Sequence, residues 1–123
     1  MTLAILVAED HPETRLTLVR ILEHLHPREQ IDAVADGRQF VDFISRGSYA
    51  LAFTYNSMPE LTGIEAIANI RQRSITIPIV MISGDASEER TRERALAAGA
   101  NEYLTKPYDL EDIRKVLARY VRK

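Results

Sequence analysis

The sequence predicts an α/β fold, a doubly wound five-stranded parallel sheet with strand order 2-1-3-4-5. Short apolar runs recur along the chain, and each is followed by a segment whose apolar residues have helical spacing. Glycine, proline and acidic residues separate the two kinds of segment. The length of 123 residues suits one domain, so we expect residues 1–123 to form a single unit. Five strand–helix units of this size give a sheet covered by helices on both faces.

The composition is that of a soluble globular protein, with 46% hydrophobic and 28% charged residues. The formal net charge of -2 gives no general attraction to nucleic acid or to an anionic membrane. The absence of cysteine excludes disulfides, thiol catalysis and cysteine-ligated zinc. No apolar run is long enough for a transmembrane helix or a signal peptide. We therefore expect a cytoplasmic protein without a direct nucleic-acid or membrane partner.

The first strand is predicted at Leu3–Ala8, because an unbroken apolar run is typical of a central strand buried on both faces. Pro12 suits the first turn of the helix that follows, and this helix is predicted to end near Pro27. The remaining strands are predicted at Ile31–Ala35, Ala50–Tyr55, Pro78–Ile82 and Asn101–Thr105, with Ile31, Ala33 and Ala35 on one face of the second strand.

Each strand is followed by an amphipathic helix. Gly47 and Gly99 are placed to end the second and fourth helices, and either Asp85 with Glu88 or Ser87 is suited to cap the start of the fourth. The residues predicted to face inward are Leu18, Ile21, Leu22 and Leu25 in the first helix, Phe40, Val41 and Ile44 in the second, Ile64, Ile67 and Ile70 in the third, and Leu110, Ile113, Leu117 and Val121 in the fifth.

Polar residues stand at the carboxyl ends of four strands, and in such a sheet these ends meet at one edge. Glu9 and Asp10 follow the first strand, and Tyr55 ends the third. Ser83 follows the fourth strand and Lys106 the fifth. Each of these residues alone is more typical of an ordinary loop or cap than of a functional site. Their joint placement predicts a site around the end of the third strand.

Four segments at these strand ends resemble the motifs of a response-regulator receiver domain, in order and at the spacing of that family. They are Glu9–Asp10, Met58–Gly63, Ser83–Gly84 and Thr105–Pro107. The resemblance covers essentially the whole chain and implies the flavodoxin-like fold. It also implies a two-component signalling module rather than an enzyme. Its partners would be a histidine kinase or phosphotransfer protein and a downstream effector domain or protein.

The resemblance also implies a role for each residue of the site. The acidic pair after the first strand would bind Mg²⁺ together with the backbone carbonyl of Ser57, and oxygen ligands of this kind are those that Mg²⁺ prefers. In the family an aspartate at the end of the third strand accepts a phosphoryl group. By position, Ser83 and Lys106 are the residues that bind the phosphate. The family further implies a cis peptide bond before Pro107, which X–Pro bonds tolerate.

Tyr55 stands at the position of the phosphoacceptor aspartate and departs from the family pattern. A phenol has a reference pKa near ~10, so it is neutral at pH 7 and offers no carboxylate to phosphorylate. It is also a poor ligand for a hard metal ion, and we therefore expect weakened Mg²⁺ binding. The ring is expected to occupy or cap the pocket, with its hydroxyl near Lys106, Glu9 or Asp10.

Several interpretations remain open on the sequence. The favoured one is a natural pseudo-receiver, which acts through protein contacts without aspartyl phosphorylation. Another is an ordinary phosphorylatable receiver that carries an Asp-to-Tyr substitution at position 55, and a third is phosphorylation of Tyr55 itself. A flavodoxin-like domain that binds a small ligand or nucleotide is the alternative from another class. The loop after the first strand has no glycine-rich phosphate cradle, which argues against it.

In the family the signal leaves through the face formed by the fourth helix, fifth strand and fifth helix. Tyr103 corresponds to the aromatic switch residue of that face, although it is also an ordinary residue type for an edge strand. Charges of both signs lie on these elements, among them Glu102 and Arg119. They are typical of a solvated surface. They also suit a homodimer in which the acidic fifth strand meets the basic fifth helix across a two-fold axis.

Overall fold

The structure, a computed structural model, describes residues 4–84 and 89–121 and has the predicted α/β architecture. The strands within these residues are β1 (Ala4–Ala8), β2 (Gln30–Val34), β3 (Leu51–Tyr55), β4 (Ile79–Ser83) and β5 (Glu102–Thr105). The helices are α1 (Pro12–Leu25), α2 (Gly37–Arg46), α3 (Gly63–Gln72), α4 (Glu89–Ala98) and α5 (Leu110–Tyr120). The strands form one parallel sheet in the order β2-β1-β3-β4-β5, which confirms the predicted flavodoxin-like topology.

The central strands are buried on both faces, which is why their sequences are almost continuously apolar. All of Ile5–Ala8 in β1 is fully buried, and successive side chains point to opposite faces of the sheet. One face packs against α1 and α5, for example through Leu18 and Leu117. The other packs against α2, α3 and α4, with Phe40 and Ile67 among the buried residues. The sheet therefore lies between two helical layers.

The register of the sheet brings several strand ends together. β3 lies between β1 and β4, and Tyr55, its last residue, is paired with Ile82. β5 is paired with β4 so that Thr105 lies beside Ser83. The segments that follow β1, β3, β4 and β5 therefore start from the same edge of the sheet.

The prediction for β2 is partly wrong because β2 is an edge strand. Ala33 is exposed, and Ala35 lies beyond the end of the strand. The buried residue is Val34, which points to the opposite face and packs in the half of the core beside α2. An edge strand pairs on one side only and is covered by fewer helices, so its apolar alternation is a weaker guide to burial.

The inner face of α5 differs from its prediction at one end. Ile113, Leu117 and Val121 are buried as predicted, but Leu110 is 46% exposed, and that prediction is wrong. Leu110 is the first residue of the helix. Val116, which the prediction omitted, is buried. Three of the four predicted inward residues are thus buried, and Val116 completes the buried face.

The other described helices agree more closely with their predictions. In α3, Ile67 and Ile70 are buried, whereas Ile64 is only partly buried and Ala66 is buried in addition. The other inward predictions that the structure confirms are Leu18 and Leu22 in α1 and Phe40, Val41 and Ile44 in α2, while Ile21 and Leu25 are partly buried. Among the described residues, no helix is long and apolar enough to cross a membrane.

Two glycines are required by their surroundings. Gly99, just after α4, has a φ of +121°, a left-handed conformation that favours glycine, and it ends the helix as predicted. Gly63 begins α3, and a Cβ at this position would lie 2.4 Å from the carbonyl oxygen of Tyr55. The start of α3 therefore packs directly against the end of β3. The predicted cap at Asp85–Glu88 lies outside the described residues.

Candidate functional site

The end of β1 supplies two acidic residues with different surroundings. Glu9 is 6% exposed, and its Oε1 accepts a hydrogen bond from the backbone N–H of His11 at 2.9 Å. Its backbone carbonyl accepts one from Nη1 of Arg15 at 2.8 Å. Asp10 is exposed to solvent. Burial raises the pKa of Glu9, and nearby Asp10 raises it further, while the His11 N–H and the Lys106 ammonium act in the opposite direction.

The loop after β3 is held against the start of α3. Asn56 accepts two hydrogen bonds, one from the N–H of Gly63 to its carbonyl at 2.9 Å and one from the N–H of Ile64 to its Oδ1 at 3.2 Å. Thr62 and Glu65 form a capping box at the first turn of the helix. These contacts fix the path of the loop, on which Ser57 is exposed.

Tyr55 is the central residue of the site and is only 4% exposed. Its ring packs in the α1 and α5 half of the core, and its hydroxyl lies 3.3 Å from the hydroxyl of Tyr108. The Nζ atom of Lys106 lies over the ring, 4.7 Å from its centroid. The hydrogen-bond partner of the hydroxyl among the described residues is therefore Tyr108, in place of the expected Lys106, Glu9 or Asp10, while Lys106 contacts the ring.

The charge state of Tyr55 follows from this position. Burial raises the pKa of Tyr55 well above the ordinary value for a phenol, and the Tyr108 hydroxyl and the Glu9 carboxylate raise it further. The pKa of Tyr108 is also raised, chiefly by burial. Tyr55 is therefore neutral at pH 7, and its oxygen is a poor anionic ligand or nucleophile.

Ser83 and Lys106 are linked through the backbone. Ser83 is the last residue of β4 and is 7% exposed, and its carbonyl accepts a hydrogen bond from the Lys106 N–H at 2.9 Å. The peptide bond between Lys106 and Pro107 is cis, as the resemblance implies. Within residues 4–84 and 89–121, the Lys106 ammonium forms no ion pair with a carboxylate. Its closest identified contact is the face of the Tyr55 ring.

The structure brings the predicted site residues of the sheet edge into one cleft of about 530 Å³. Its lining includes Glu9, Asp10, Tyr55, Ser57, Ser83 and Lys106. Tyr55 is thus one of the residues that line this cleft, which we name the acceptor cleft. Its lining carries the acidic Glu9 and Asp10, which follow β1, and Lys106, which follows β5.

Tyr103 lies away from the acceptor cleft. Its ring is partly buried and packs against the half of the core beside α2, α3 and α4. Its hydroxyl is buried without a hydrogen-bond partner among the described residues. On the same strand, Glu102 forms an ion pair with Arg119 of α5. The charges expected to meet across a dimer axis therefore meet within one chain, because β5 and α5 are neighbours.

Sequence reasoning missed Tyr108, His11 and Arg15 as parts of the site. Tyr108 contacts Tyr55, His11 lines the acceptor cleft and donates to Glu9, and Arg15 holds the Glu9 carbonyl. A positional signal existed for two of them. His11 and Tyr108 both follow strands that end at the site edge, only a few residues after the strand.

The residues present do not fit a complete Mg²⁺ site. The chain offers two carboxylates and a backbone carbonyl, and the third anionic oxygen would have to come from Tyr55. That hydroxyl is neutral and bonded to Tyr108. Among the described residues, no three acidic, histidine or cysteine side chains are grouped so that they could hold a metal ion. Mg²⁺ requires near-octahedral oxygen ligands, and the residues at this site do not supply a full set of them.

The family model described as the response regulator receiver domain matches residues 5–118, and a match of this extent decides the family. The chain belongs to the response regulator receiver domain family. It is thus a receiver domain of the two-component phosphorelay type, as the strand-end motifs predicted.

In the curated relatives of this receiver, the matching region is one part of a longer protein. The sensor protein EvgS of Escherichia coli (strain K12) is 33% identical over 117 residues, which are 95% of this chain and 10% of EvgS. The transcriptional regulatory protein TcrA of Mycobacterium tuberculosis is 34% identical over 110 residues, 89% of this chain and 42% of TcrA. The chain spans from a tenth to about half of the length of the curated relatives it matches.

Solved structures show the same fold. The receiver domain of the sensor histidine kinase PA1611 from Pseudomonas aeruginosa PAO1 has a TM-score of 0.87 and 30% identity, with 98% of both chains covered. In that structure a magnesium ion is coordinated in the active-site cleft. A co-crystal structure of the Saccharomyces cerevisiae phosphotransfer protein Ypd1 and the receiver domain of Ssk1 has a TM-score of 0.87 and 25% identity, covering 97% of this chain and 88% of the other.

Proposed function

We propose that residues 1–123 form a single receiver domain that signals through protein contacts without forming an aspartyl phosphate. The observation that carries the proposal is the position of Tyr55, which ends β3 between the acidic pair of β1 and Lys106. Acyl phosphate chemistry needs a carboxylate nucleophile, and Tyr55 provides a neutral, buried phenol. The residues that would bind the phosphate, Ser83 and Lys106, remain beside it.

Phosphorylation of Tyr55 itself is not supported by the geometry. The residue is 4% exposed, and its hydroxyl is directed at Tyr108 rather than into the acceptor cleft. A protein kinase acting on a tyrosine must reach the hydroxyl in line with its phosphate donor. The proposal therefore assigns Tyr55 a structural role at the acceptor position.

The proposed partners are a histidine kinase or phosphotransfer protein and a downstream effector domain. Support comes from relatives in which such proteins occur together, since the Ssk1 receiver was crystallised with the phosphotransfer protein Ypd1. A receiver that binds such a partner without accepting its phosphoryl group can compete with functional receivers for it. In this role the chain needs an intact fold and surface but no acceptor carboxylate.

The proposal is tested by replacing Tyr55 with the residue expected at this position in the family. Tyr55→Asp is incubated with radiolabelled acetyl phosphate or a phosphorylated histidine kinase, and the bound label is tested for lability to base and hydroxylamine. We expect the Tyr55→Asp protein to acquire a labile acyl phosphate, because the neighbouring groups of the site are present. The unchanged protein is expected to remain unlabelled.

Tyr55→Asn is the matched control, because it has the shape of aspartate without a carboxylate to phosphorylate. Far-ultraviolet circular dichroism establishes that each variant is folded. A folded Tyr55→Asp protein that stays unlabelled would contradict the expectation that the neighbouring groups of the site suffice for phosphorylation. Label of the same lability on the unchanged protein would contradict the proposal itself. An ordinary receiver whose acceptor aspartate has been replaced by tyrosine would give the same labelling of Tyr55→Asp.

We also propose that the face formed by α4, β5 and α5 is a contact surface that takes a second copy of this chain. The support is an exposed leucine on a helix rich in arginine: Leu96 is 40% exposed, and the exposed Arg92 lies one turn before it on the same face of α4. An apolar centre with a charged rim is typical of a protein interface. Because Glu102 is already paired with Arg119, we expect apolar burial rather than charge pairing to drive association.

Light scattering over a range of protein concentrations at low and high salt tests this surface. We expect a concentration-dependent dimer whose affinity falls roughly tenfold in Leu96→Ala, the effect of losing one buried leucine contact. Leu16→Ala, which removes a similarly exposed leucine from α1, is the matched control. A strictly monomeric mass at high concentration, or equal effects of both variants, would rule out this interface.

A further inference from the structure

Lys106 lies at the boundary between two clefts. One is the acceptor cleft of about 530 Å³. The other has a volume of about 450 Å³ and is lined by Thr14 and Thr17 of α1 and by Pro107 and Tyr108. Lys106 and Gly84 line both clefts. The position of the Lys106 side chain therefore determines through which of the two clefts a reagent can reach its ammonium group.

The Tyr55–Tyr108 pair lies at the same boundary. Tyr55 lines the acceptor cleft, Tyr108 lines the second cleft, and their hydroxyls lie 3.3 Å apart. The two residues are 53 positions apart in sequence, so the contact ties the end of β3 to the loop that follows β5. Lys106 lies in that loop and places its ammonium over the Tyr55 ring.

Loss of this contact would leave a buried polar group. Among the described residues, it is the one hydrogen bond identified for either hydroxyl. Tyr55 is 4% exposed, so its hydroxyl has little access to water as a substitute partner. An unsatisfied buried hydroxyl is costly, and the ring would turn to find another partner. Removal of the Tyr108 hydroxyl should therefore move the Tyr55 ring. The aromatic face that the Lys106 ammonium contacts would move with it.

We propose that Tyr108 is a positioning residue whose hydroxyl holds the Tyr55 ring beneath Lys106 and so keeps the ammonium at the boundary of the two clefts. We name the contact between the Tyr55 and Tyr108 hydroxyls the clasp, because it holds the Tyr55 side chain in place at the acceptor position. This role rests on the proposed function insofar as it concerns a receiver without an acceptor carboxylate. The physical contact itself can be tested without any phosphorylation measurement.

The clasp is tested with Tyr108→Phe in the full chain, a change that removes only the hydroxyl. Lys106 is modified with a water-soluble N-hydroxysuccinimide ester, and mass spectrometry measures its rate relative to Lys115, which is exposed on α5. We expect the Lys106 rate to rise about two- to tenfold, the range given by the loss of one hydrogen bond. In protein with ¹³Cζ-labelled tyrosine, the Tyr55 resonance, assigned through Tyr55→Phe, is expected to shift.

A double-mutant cycle establishes whether Tyr108 acts through Tyr55. In a Tyr55→Phe background the clasp is already absent, so Tyr108→Phe should cause no further rise in Lys106 reactivity. Tyr120→Phe is the matched control. It removes the hydroxyl of a tyrosine on α5 that packs against the same half of the core, and it should leave the ratio of the Lys106 and Lys115 modification rates unchanged. The proposal is overturned by an unchanged ratio in Tyr108→Phe, by an equal rise in the Tyr55→Phe background, or by an equal rise in Tyr120→Phe. None of these outcomes depends on whether Tyr55→Asp accepts a phosphoryl group.

Discussion

Arg71 is a single side chain that joins three segments of this fold. Its Nε and Nη2 atoms donate to the carbonyl of Gly99 at 3.0 and 2.9 Å, and its Nη1 donates to the carbonyl of Ile75 at 2.8 Å. Nη2 also donates to Oδ1 of Asn101 at 2.9 Å. The end of α3 is thereby attached to the approach to β4 and to the turn between α4 and β5. The fixed fork of the guanidinium suits several carbonyl acceptors at once.

Replacing Arg71 with alanine should lower the free energy of unfolding by about 2–3 kcal/mol, because hydrogen bonds to a charged donor and partly buried carbonyl acceptors are lost together. Urea denaturation measures this change. Arg73→Ala is the matched control, since Arg73 is exposed and, among the described residues, its guanidinium donates to the side chains of Asn69 and Ser45 and to no backbone carbonyl. We expect that control to cost less than about 1 kcal/mol. Equal losses in the two variants would show that Arg71 has no special structural role.

Single side chains also mark where prediction from the sequence reached its limit. The placement of Tyr55 at the end of β3 and at the edge of the acceptor cleft followed from strand order alone. The direction of its hydroxyl did not, because it depends on a contact with Tyr108, 53 residues away in sequence. No local pattern encodes such a pair, and only the packed loop after β5 brings the two hydroxyls together.

At the scale of the elements, the type and order of strands and helices were predictable because periodicity reports which face is buried. β1 and β3 were recognised from nearly continuous apolar runs, and both are buried on two faces. Errors lay at ends and edges. Leu110 is exposed at the first position of α5, and Ala33 is exposed on the edge strand β2. Burial at such positions depends on whether a neighbouring element covers them, which a local pattern does not contain.

The loops at the site edge were predictable for a different reason. Glu9 and Lys106 each follow a strand directly, so the parallel sheet alone brings them to one edge. What the sheet does not determine is how each group is partnered. The N–H of His11 donates to Glu9, and the carbonyl of Ser83 holds the N–H of Lys106. These contacts depend on the detailed path of short loops, whose conformations the sequence motifs do not specify.

At the scale of the whole molecule, four tyrosines with raised pKa values are expected to lower the free energy of unfolding at alkaline pH. Burial is the largest cause that raises the pKa of Tyr49, Tyr55, Tyr108 and Tyr120. In the unfolded chain these phenols ionise near pH ~10. Because their folded pKa values are higher, their contribution to stability is complete below that pH and is lost as the pH rises toward the folded values.

We therefore expect the free energy of unfolding to fall above pH ~10, with a slope of up to about 1.4 kcal/mol per pH unit for each of Tyr55 and Tyr108 while it stays protonated in the fold, and a smaller slope from the more exposed Tyr49 and Tyr120. Urea denaturation at a series of pH values measures the slope. The chain has no tryptophan, so near-ultraviolet absorbance reports tyrosinate directly. Most tyrosinate absorbance should develop together with the loss of helical circular dichroism. Full ionisation near pH ~10 in a protein that is still folded would contradict this expectation.

The strand order also has a consequence for how the protein is made. During synthesis β1 and β2 emerge first, β3 then pairs on the free side of β1, and β4 and β5 are added outward in turn. From β1 outward on this side, the strand order therefore follows the order in which the ribosome releases the strands. Tyr55 is in place long before its two partners, since Lys106 and Tyr108 lie in the last loop. The contacts of Tyr55 with Lys106 and Tyr108 can thus form only after the loop that follows β5 has been synthesised.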